Sequence, residues 1–507
     1  MKLSLYLESK PVKLFIVVVL SFILFIILSQ KIDLVTADLG RHLKNGEYFF
    51  QQFKPVTTNY YSYTLPENPT VNHHWFSGAI FYLVYKLAGF YGLSLFYVGL
   101  YVLALGLLFG LSVKKNGFYP TLFSFILFIP LFAHRREIRP EIFSYLGIIF
   151  YLLIFEQFVK INKQNLILGL LFIYQLFWSN SHIYAFIGPV IVGLYILNNL
   201  IRKKYQNIRQ LLTYELLAIL SLILTPFGLT GFIKSLFIMH QYGYRLAENM
   251  SLWFMINWTQ GKDWIYIYGL VLIISSIIYI LFSVIKNKKI SVLEILVIMT
   301  GVGAFIMNRN LPLFAIFTVL YLSKVVNKNI TKVKTYYLVM IIFVLTIVFG
   351  AKFNLVNANN GFGLQDNIEK SAIFYKSQKL AGPIFNNYDD GGYLIYELFP
   401  QEKVFVDNRP EAYTKEFFDK VYNPALADEN KWQEIDEKYN LNTIYFYRHD
   451  MTDNAQAFLL RRIQDQNWVP VYVDDWMLML LKDTELNADL INKFALPKEI
   501  FSMGGNN

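Results

Sequence analysis

The sequence predicts a polytopic α-helical membrane protein with a C-terminal α/β domain. Three observations predict it. Of 507 residues, 55% are hydrophobic, 18% aromatic and only 16% charged, against about 25% charged in an average soluble protein. That balance excludes a disordered chain and argues against an ordinary soluble enzyme. The apolar residues also cluster: 14–30, 87–113, 116–133, 265–285 and 335–351 contain no Asp, Glu, Lys or Arg. Stretches of about 17–25 such residues are long enough to cross a bilayer as helices. Finally, the net charge of +10 hides two opposite parts. Residues 1–350 hold 30 Lys and Arg against 12 Asp and Glu, whereas 351–507 hold 16 against 24. A basic membrane part (1–350) and an acidic domain (351–507) in different surroundings follow.

Eleven spanning helices are expected, at roughly 12–30, 92–113, 117–133, 141–159, 165–178, 182–200, 210–227, 264–285, 291–307, 310–324 and 334–350. Segment 75–90 is apolar but short and interrupted by Lys86, so it is expected to lie along the membrane interface. If it spans, the topology after it inverts. With the N-terminus inside, the inner loops carry Lys114/Lys115, Lys160/Lys163, Arg202/Lys203/Lys204/Arg209, Lys286/Lys288/Lys289 and Lys324/Lys328/Lys332/Lys334, as the positive-inside rule requires. An odd helix count then places the C-terminal domain outside, in a multi-pass cell-membrane protein with a cytoplasmic N-terminus. The first segment reads as an uncleaved anchor. The basic residues lie in short loops between apolar segments, so they reflect orientation and not a nucleic-acid partner. The chain has no cysteine, which removes disulfides and thiolate metal sites.

One outer loop breaks the charge rule: His134-Arg135-Arg136-Glu137-Ile138-Arg139-Pro140-Glu141. Pro140 suits the first turn of the next helix and Glu141 its positive end. The arginines have no such role there, and guanidiniums at a membrane surface are well matched to phosphate. Polar groups gather on the same side. The first outer loop, 31–91, carries Asp33, Asp38, Arg41, His42, Glu47, Asn72, His73 and His74, and further outer connections carry Asn180, His182, Glu248, Asn249, Asn308 and Arg309. Six of the seven histidines (42, 73, 74, 134, 182, 240) fall on this side. Ionisable groups at helix ends within a bundle usually mark a site, here a cavity at the outer face.

In order along the chain come "ADLGRHLKNGEYFF", "KPVTTNYYSYT", "VNHHWFSGAIFYLVYKLAGFYGL", "REIRPEIFSYL", "LFWSNSHIYAFIGPVIVG", "LTPFGL", "MNRNLPLFAIF" and "GPIFNNYDDGGYLIYELFPQEKVFVDNRPEAY". Together these resemble bacterial GT-C-type glycosyltransferases, multispanning enzymes related in fold to protein O-mannosyltransferases and to the catalytic subunit of oligosaccharyltransferase. The resemblance covers most of the chain. It implies a GT-C-like fold, a polyprenyl-phosphate-linked sugar donor used on the outer side of the membrane, and a catalytic acidic residue shortly after the first helix, where Asp38 stands. The chain departs from the family pattern at Asn59 (commonly Asp), His74 (commonly Glu) and Thr225 (commonly Asn).

Glycosyl transfer needs a base for the acceptor hydroxyl and positive charge on the departing phosphate. Asp38 is the candidate base or metal ligand; the alternative is a helix N-cap. Asp33 is the second candidate. Arg135, Arg136 and Arg139 are candidate phosphate ligands, with pairing to Glu137 and Glu141 as the alternative. Arg309 is another, with snorkelling at a helix end as its alternative. His74, with His42 and His73, is a candidate binding residue, and a divalent metal such as Mg or Mn is a candidate cofactor. His182 and Asn180 are expected as a hydrogen-bonding pair lining the cavity. In the tail, 382–386, 403–407, 442–448, 468–474 and 476–482 read as strands, with helices near 415–422, 428–439 and 454–466, an α/β arrangement with a mixed sheet. Asp407-Asn408-Arg409 is its one pointed feature: Arg409 is a candidate acceptor or substrate contact, with a turn and internal ion pair as the alternative. Residues 485–507 read as a loosely held terminus.

The leading function is transfer of a sugar from a polyprenyl phosphate to an extracytoplasmic acceptor: a glycolipid, glycan or protein. A transporter or flippase for a lipid-linked saccharide is the second reading; the internal repeats and midplane charges common in transporters are not seen. A non-catalytic envelope assembly protein is the third.

Overall fold

The computed structural model describes residues 9–158, 164–203, 208–237, 243–244, 246–329, 341, 344, 348, 355–452 and 454–501. The chain divides into two compact units: Met1–Lys31, Leu93–Thr225 and Arg245–Phe362 form one, and Ile32–Gly92, Pro226–Tyr244 and Gly363–Asn507 form the other. These units cut the chain differently from the expected boundary at 350, because the first outer loop folds with the C-terminal part.

The first unit is helical. Helices occupy ten of the eleven expected segments; the eleventh, 334–350, lies largely outside the described residues, as does His240. Five described helices are long and apolar enough to cross a membrane by length and composition: Lys10–Leu28, Trp75–Asn116, Ile183–Ile201, Trp264–Asn287 and Asn308–Lys328. Phe118–Ala133, Glu141–Phe155, Leu166–Ser181 and Val292–Ile306 are apolar but shorter. The ends follow local chemistry. A proline opens Lys10–Leu28. Asp263 accepts from Ile265 N at 3.3 Å to cap Trp264–Asn287, and Ser291 with Glu294 forms a capping box before Val292–Ile306. The expected helix 210–227 ends early, at Ser221, before Pro226.

Trp75–Asn116 is one helix broken at Gly89 (φ 63°, ψ −169°), a backbone region reserved for glycine. The break separates segment 75–88 from the long apolar run after it.

The second unit holds a four-stranded sheet of β1 (Ile384–Phe385), β2 (Thr443–Tyr447), β3 (Trp468–Val473) and β4 (Met477–Lys482) in the order β1-β2-β4-β3. β1 and β2 are parallel, and β4 is antiparallel to both β2 and β3. β2 and β4 are apolar runs buried along nearly their whole length. The expected strand 403–407 does not join this sheet. Val404 instead bridges Ser62 of the first outer loop, with Val404 N on Tyr61 O at 3.1 Å and Tyr63 N on Val404 O at 3.2 Å. Its edge groups are satisfied by a segment some 340 residues away.

The helix Leu39–Gln52 is gripped on two sides by backbone. A Cβ added to Gly40 would lie 2.5 Å from Gly392 O, and one on Gly46 would lie 2.3 Å from Gly78 O. The terminus is also more ordered than expected. Ala488–Phe494 is a helix, Asn487 Nδ2 donates to Asn442 Oδ1 at 2.8 Å, and Leu496 N donates to Pro470 O at 2.8 Å. Residues 502–507 lie outside the described residues.

Candidate functional site

In the second unit, Asp38 stands at the start of Leu39–Gln52, yet its carboxylate makes no capping bond among the described residues. The backbone explains this: an N-cap is normally extended, and Asp38 is already helical at φ −66°, ψ −7°. The carboxylate instead pairs with the guanidinium one turn on, Arg41 Nη2 to Asp38 Oδ1 at 3.2 Å. Arg41 is buried, and its Nε donates to Asn408 Oδ1 at 3.0 Å. The Asp38 side chain keeps 25% of its surface exposed. Asp33 is a turn residue, accepting from Val35 N, Thr36 N and Thr36 Oγ1.

Arg409 forms the internal ion pair that was the alternative to substrate contact. Its Nε and Nη2 each meet an Asp407 carboxylate oxygen at 2.7 Å, Nη2 also reaches Asn59 Oδ1 at 2.8 Å, and the guanidinium lies over the Tyr61 ring. Tyr413 Oη donates to Asp407 Oδ2 at 3.0 Å. Burial opposes the charge on Arg409, but Asp407 outweighs it and holds the guanidinium firmly protonated. His42 and His74 meet edge to face at 5.7 Å. Burial, helped by Lys234, pushes His73 down to about 4, so it is neutral at pH 7.

In the first unit, Arg135, Arg139 and Arg309 converge on Glu248. Arg135 Nη1 and Arg139 Nη1 reach Glu248 Oε2 at 3.0 and 2.8 Å, and Arg309 Nη1 reaches Oε1 at 3.4 Å. Arg135 also pairs with Glu141 at 2.8 Å and Arg139 with Glu137 at 2.9 Å. Burial disfavours the Glu248 carboxylate, but the Arg139, Arg135 and Arg309 charges outweigh it and hold the group well below the usual carboxylate range. The expected pairing with Glu137 and Glu141 is therefore present, and Glu248 joins it. Arg136 stands apart, donating to Gln30 Oε1 and to the carbonyls of Ile27 and Leu355. An open cleft of about 690 Å³ lies against Arg136, with His134, Lys262, Asp263, Trp258 and Trp264 in its lining; the three converging arginines do not line it.

His182 Nδ1 bonds Ser144 Oγ at 2.7 Å and accepts from Tyr184 N at 3.4 Å, and Trp178 Nε1 donates to the same serine. Asn180 Nδ2 donates to the carbonyls of Leu176 and Leu224. Both residues serve helix ends through these bonds.

Among the described residues, no three His, Asp or Glu side chains group to hold a metal ion.

The sequence places Glu248 in an outer connection and Asn408 in the Asp407-Asn408-Arg409 run without showing the partner of either. Glu248 is the sole acidic residue between 216 and 262, a signal that was available. Asn408 meets Arg41 across 367 residues, which a single sequence does not disclose.

No family model matches the chain, and no curated protein matches it. Solved structures do. It is similar to the archaeal oligosaccharyltransferase AglB from Archaeoglobus fulgidus in complex with an inhibitory peptide and a dolichol-phosphate, with TM-score 0.61 and 12% identity over 94% of this chain and 75% of that one. The same enzyme tethered with an acceptor peptide containing the NVT sequon gives 0.60 at 12% over the same shares. Its apo form gives 0.61 at 11% over 91% and 73%. The chain shares the GT-C fold: mostly helical, with apolar helices and a small C-terminal sheet.

Proposed function

We propose that the chain is a membrane glycosyltransferase that moves a sugar from a polyprenyl-phosphate-linked donor to an extracytoplasmic acceptor. The observation that carries this reading is Asp38: a carboxylate ten residues after the first long apolar helix, paired with buried Arg41, making no capping bond, and a quarter exposed. The fold it shares with oligosaccharyltransferase supports the reaction class.

Asp38 accepts the proton of the acceptor hydroxyl as that oxygen attacks the sugar's anomeric carbon, and the polyprenyl phosphate leaves with the bonding electrons. A positioned base of this kind contributes about 10²–10⁴-fold. Arg41 holds the carboxylate in place through their ion pair. Within the first unit, Arg135, Arg139 and Arg309 are the proposed ligands of a phosphate group, to which guanidiniums are well matched. The proposed orientation is N-terminus in the cytoplasm and residues 363–501 outside. A tag at 288 should then be inaccessible from outside and one within 363–501 accessible; the reverse labelling would reject the orientation.

The test is direct. Purified protein is incubated with polyprenyl-phosphate sugars, and release of polyprenyl phosphate is measured. Release by the wild type and loss in Asp38→Asn are expected. Equal release by both would reject the assignment of Asp38.

A further inference from the structure

Three guanidiniums close on the single carboxylate of Glu248 (Arg135, Arg139 and Arg309). We propose that Glu248 is a resident competitor for the phosphate: its carboxylate fills the anion position of the arginine cluster, and a phosphate-bearing ligand binds by displacing it. This rests on the reading that these arginines take a phosphate group.

Charge balance is the first support. Glu248, Glu141 and Glu137 match the three arginines one for one. A neutral cluster gains little from a further anion, whereas a cluster that has released Glu248 carries a net positive charge for a phosphate to meet. Geometry is the second. Guanidinium forks that share one pair of carboxylate oxygens present to phosphate the same planar donor array.

The third support is how the Glu248 turn is fixed. It lies in the single turn Ala247–Asn249, whose flanking carbonyls are held by Asn308: Nδ2 donates to Ala247 O at 2.7 Å and Met250 O at 3.1 Å, and Asn308 N donates to Met250 O at 3.0 Å. The backbone is anchored without help from the carboxylate, so the side chain can rotate away while the turn stays. The fourth is unused bonding capacity. Among the described residues, the buried Arg135 Nε has no hydrogen-bond partner. Buried polar groups are rarely left so, and a phosphate brings more acceptor oxygens than the carboxylate it replaces.

The experiment is calorimetric titration of the full-length protein in detergent with citronellyl phosphate, a short isoprenoid phosphate. Glu248→Gln, confirmed folded by an unchanged thermal melt, should bind about tenfold more tightly than wild type, the scale of one lost charge-assisted competitor. Arg139→Ala should bind more weakly than wild type. Equal or weaker binding by Glu248→Gln, with binding still reduced in Arg139→Ala, overturns the competitor while leaving the phosphate reading standing. Wild-type binding that Arg139→Ala does not change overturns the phosphate reading and the competitor with it. Should Glu248→Gln fail to fold, Glu248→Asp keeps the charge and withdraws its reach by one methylene. Tighter binding by that variant supports displacement, and equal or weaker binding overturns it.

Discussion

The arginine cluster of the first unit and the Asp38 pair of the second use the same two side-chain types: three guanidiniums meet Glu248, and a buried guanidinium meets Asp38. Around Glu248 each guanidinium has its carboxylate, and the side chains are 10–21% exposed. In the second unit Arg409 is closed off in the same manner by Asp407. Asp38 pairs with the buried guanidinium of Arg41, and 25% of its side-chain surface is exposed. Closed pairs fix structure, and breaking a buried one is costly. A charge that is held on one side and open on another can exchange a proton with a ligand.

The largest expected effect tests that open face. Asp38→Asn should lower transfer by about 10²–10⁴-fold with an unchanged thermal melt. Asp38→Ala should match it in both respects, because the carboxylate caps nothing. A melt lowered in Ala but not in Asn would restore the capping role. The closed pair should behave in the opposite way. Asp407→Ala leaves Arg409 buried without its partner and should destabilise the protein by about 3–5 kcal/mol, read by denaturant unfolding in detergent; a change below about 1 kcal/mol would show the pair to be dispensable.

Arg139→Ala and Arg309→Ala should each weaken donor affinity by about ten- to a hundredfold, the worth of one charge-assisted contact, while Glu248 keeps its remaining arginines and the fold survives. Unchanged affinity in both would reduce them to structural counter-charges. The smallest effect concerns His73. Its folded form is held neutral down to about pH 4, whereas the unfolded form takes up a proton near 6.5. Between those values the unfolded state binds more protons, so this contribution is complete above pH 6.5 and is lost as pH falls toward 4. His73→Gln should flatten that part of the stability–pH curve, and an unaltered curve would remove His73 as its source.

What the sequence disclosed depended on range. Charge-free runs located the helices because a span is a local property, and the Gly89 break falls where the run after Lys86 begins. Asp38 was visible as the residue before a helix, but its capping role was not decidable, since that turns on the backbone angles of one residue. The stretch 403–407 has the composition of a strand, and its actual partner, Ser62, lies far along the chain. Arg135 and Arg139 could be paired in advance with Glu137 and Glu141 because those are near neighbours. Their shared partner Glu248 is more than a hundred residues away, and no local pattern encodes that convergence.

The glycine contacts on the helix that follows Asp38 carry a consequence for how the protein can vary. Gly40 meets Gly392 and Gly46 meets Gly78 with no room for a methyl group. The carboxylate's location is thus set by main chain resting on main chain, a fit with almost no tolerance. Tyrosines and leucines around it can be exchanged and the neighbours will repack, but one added carbon at Gly40 must move the whole helix, and Asp38 with it. The accuracy of the Asp38 position is stored in residues that have no side-chain chemistry of their own.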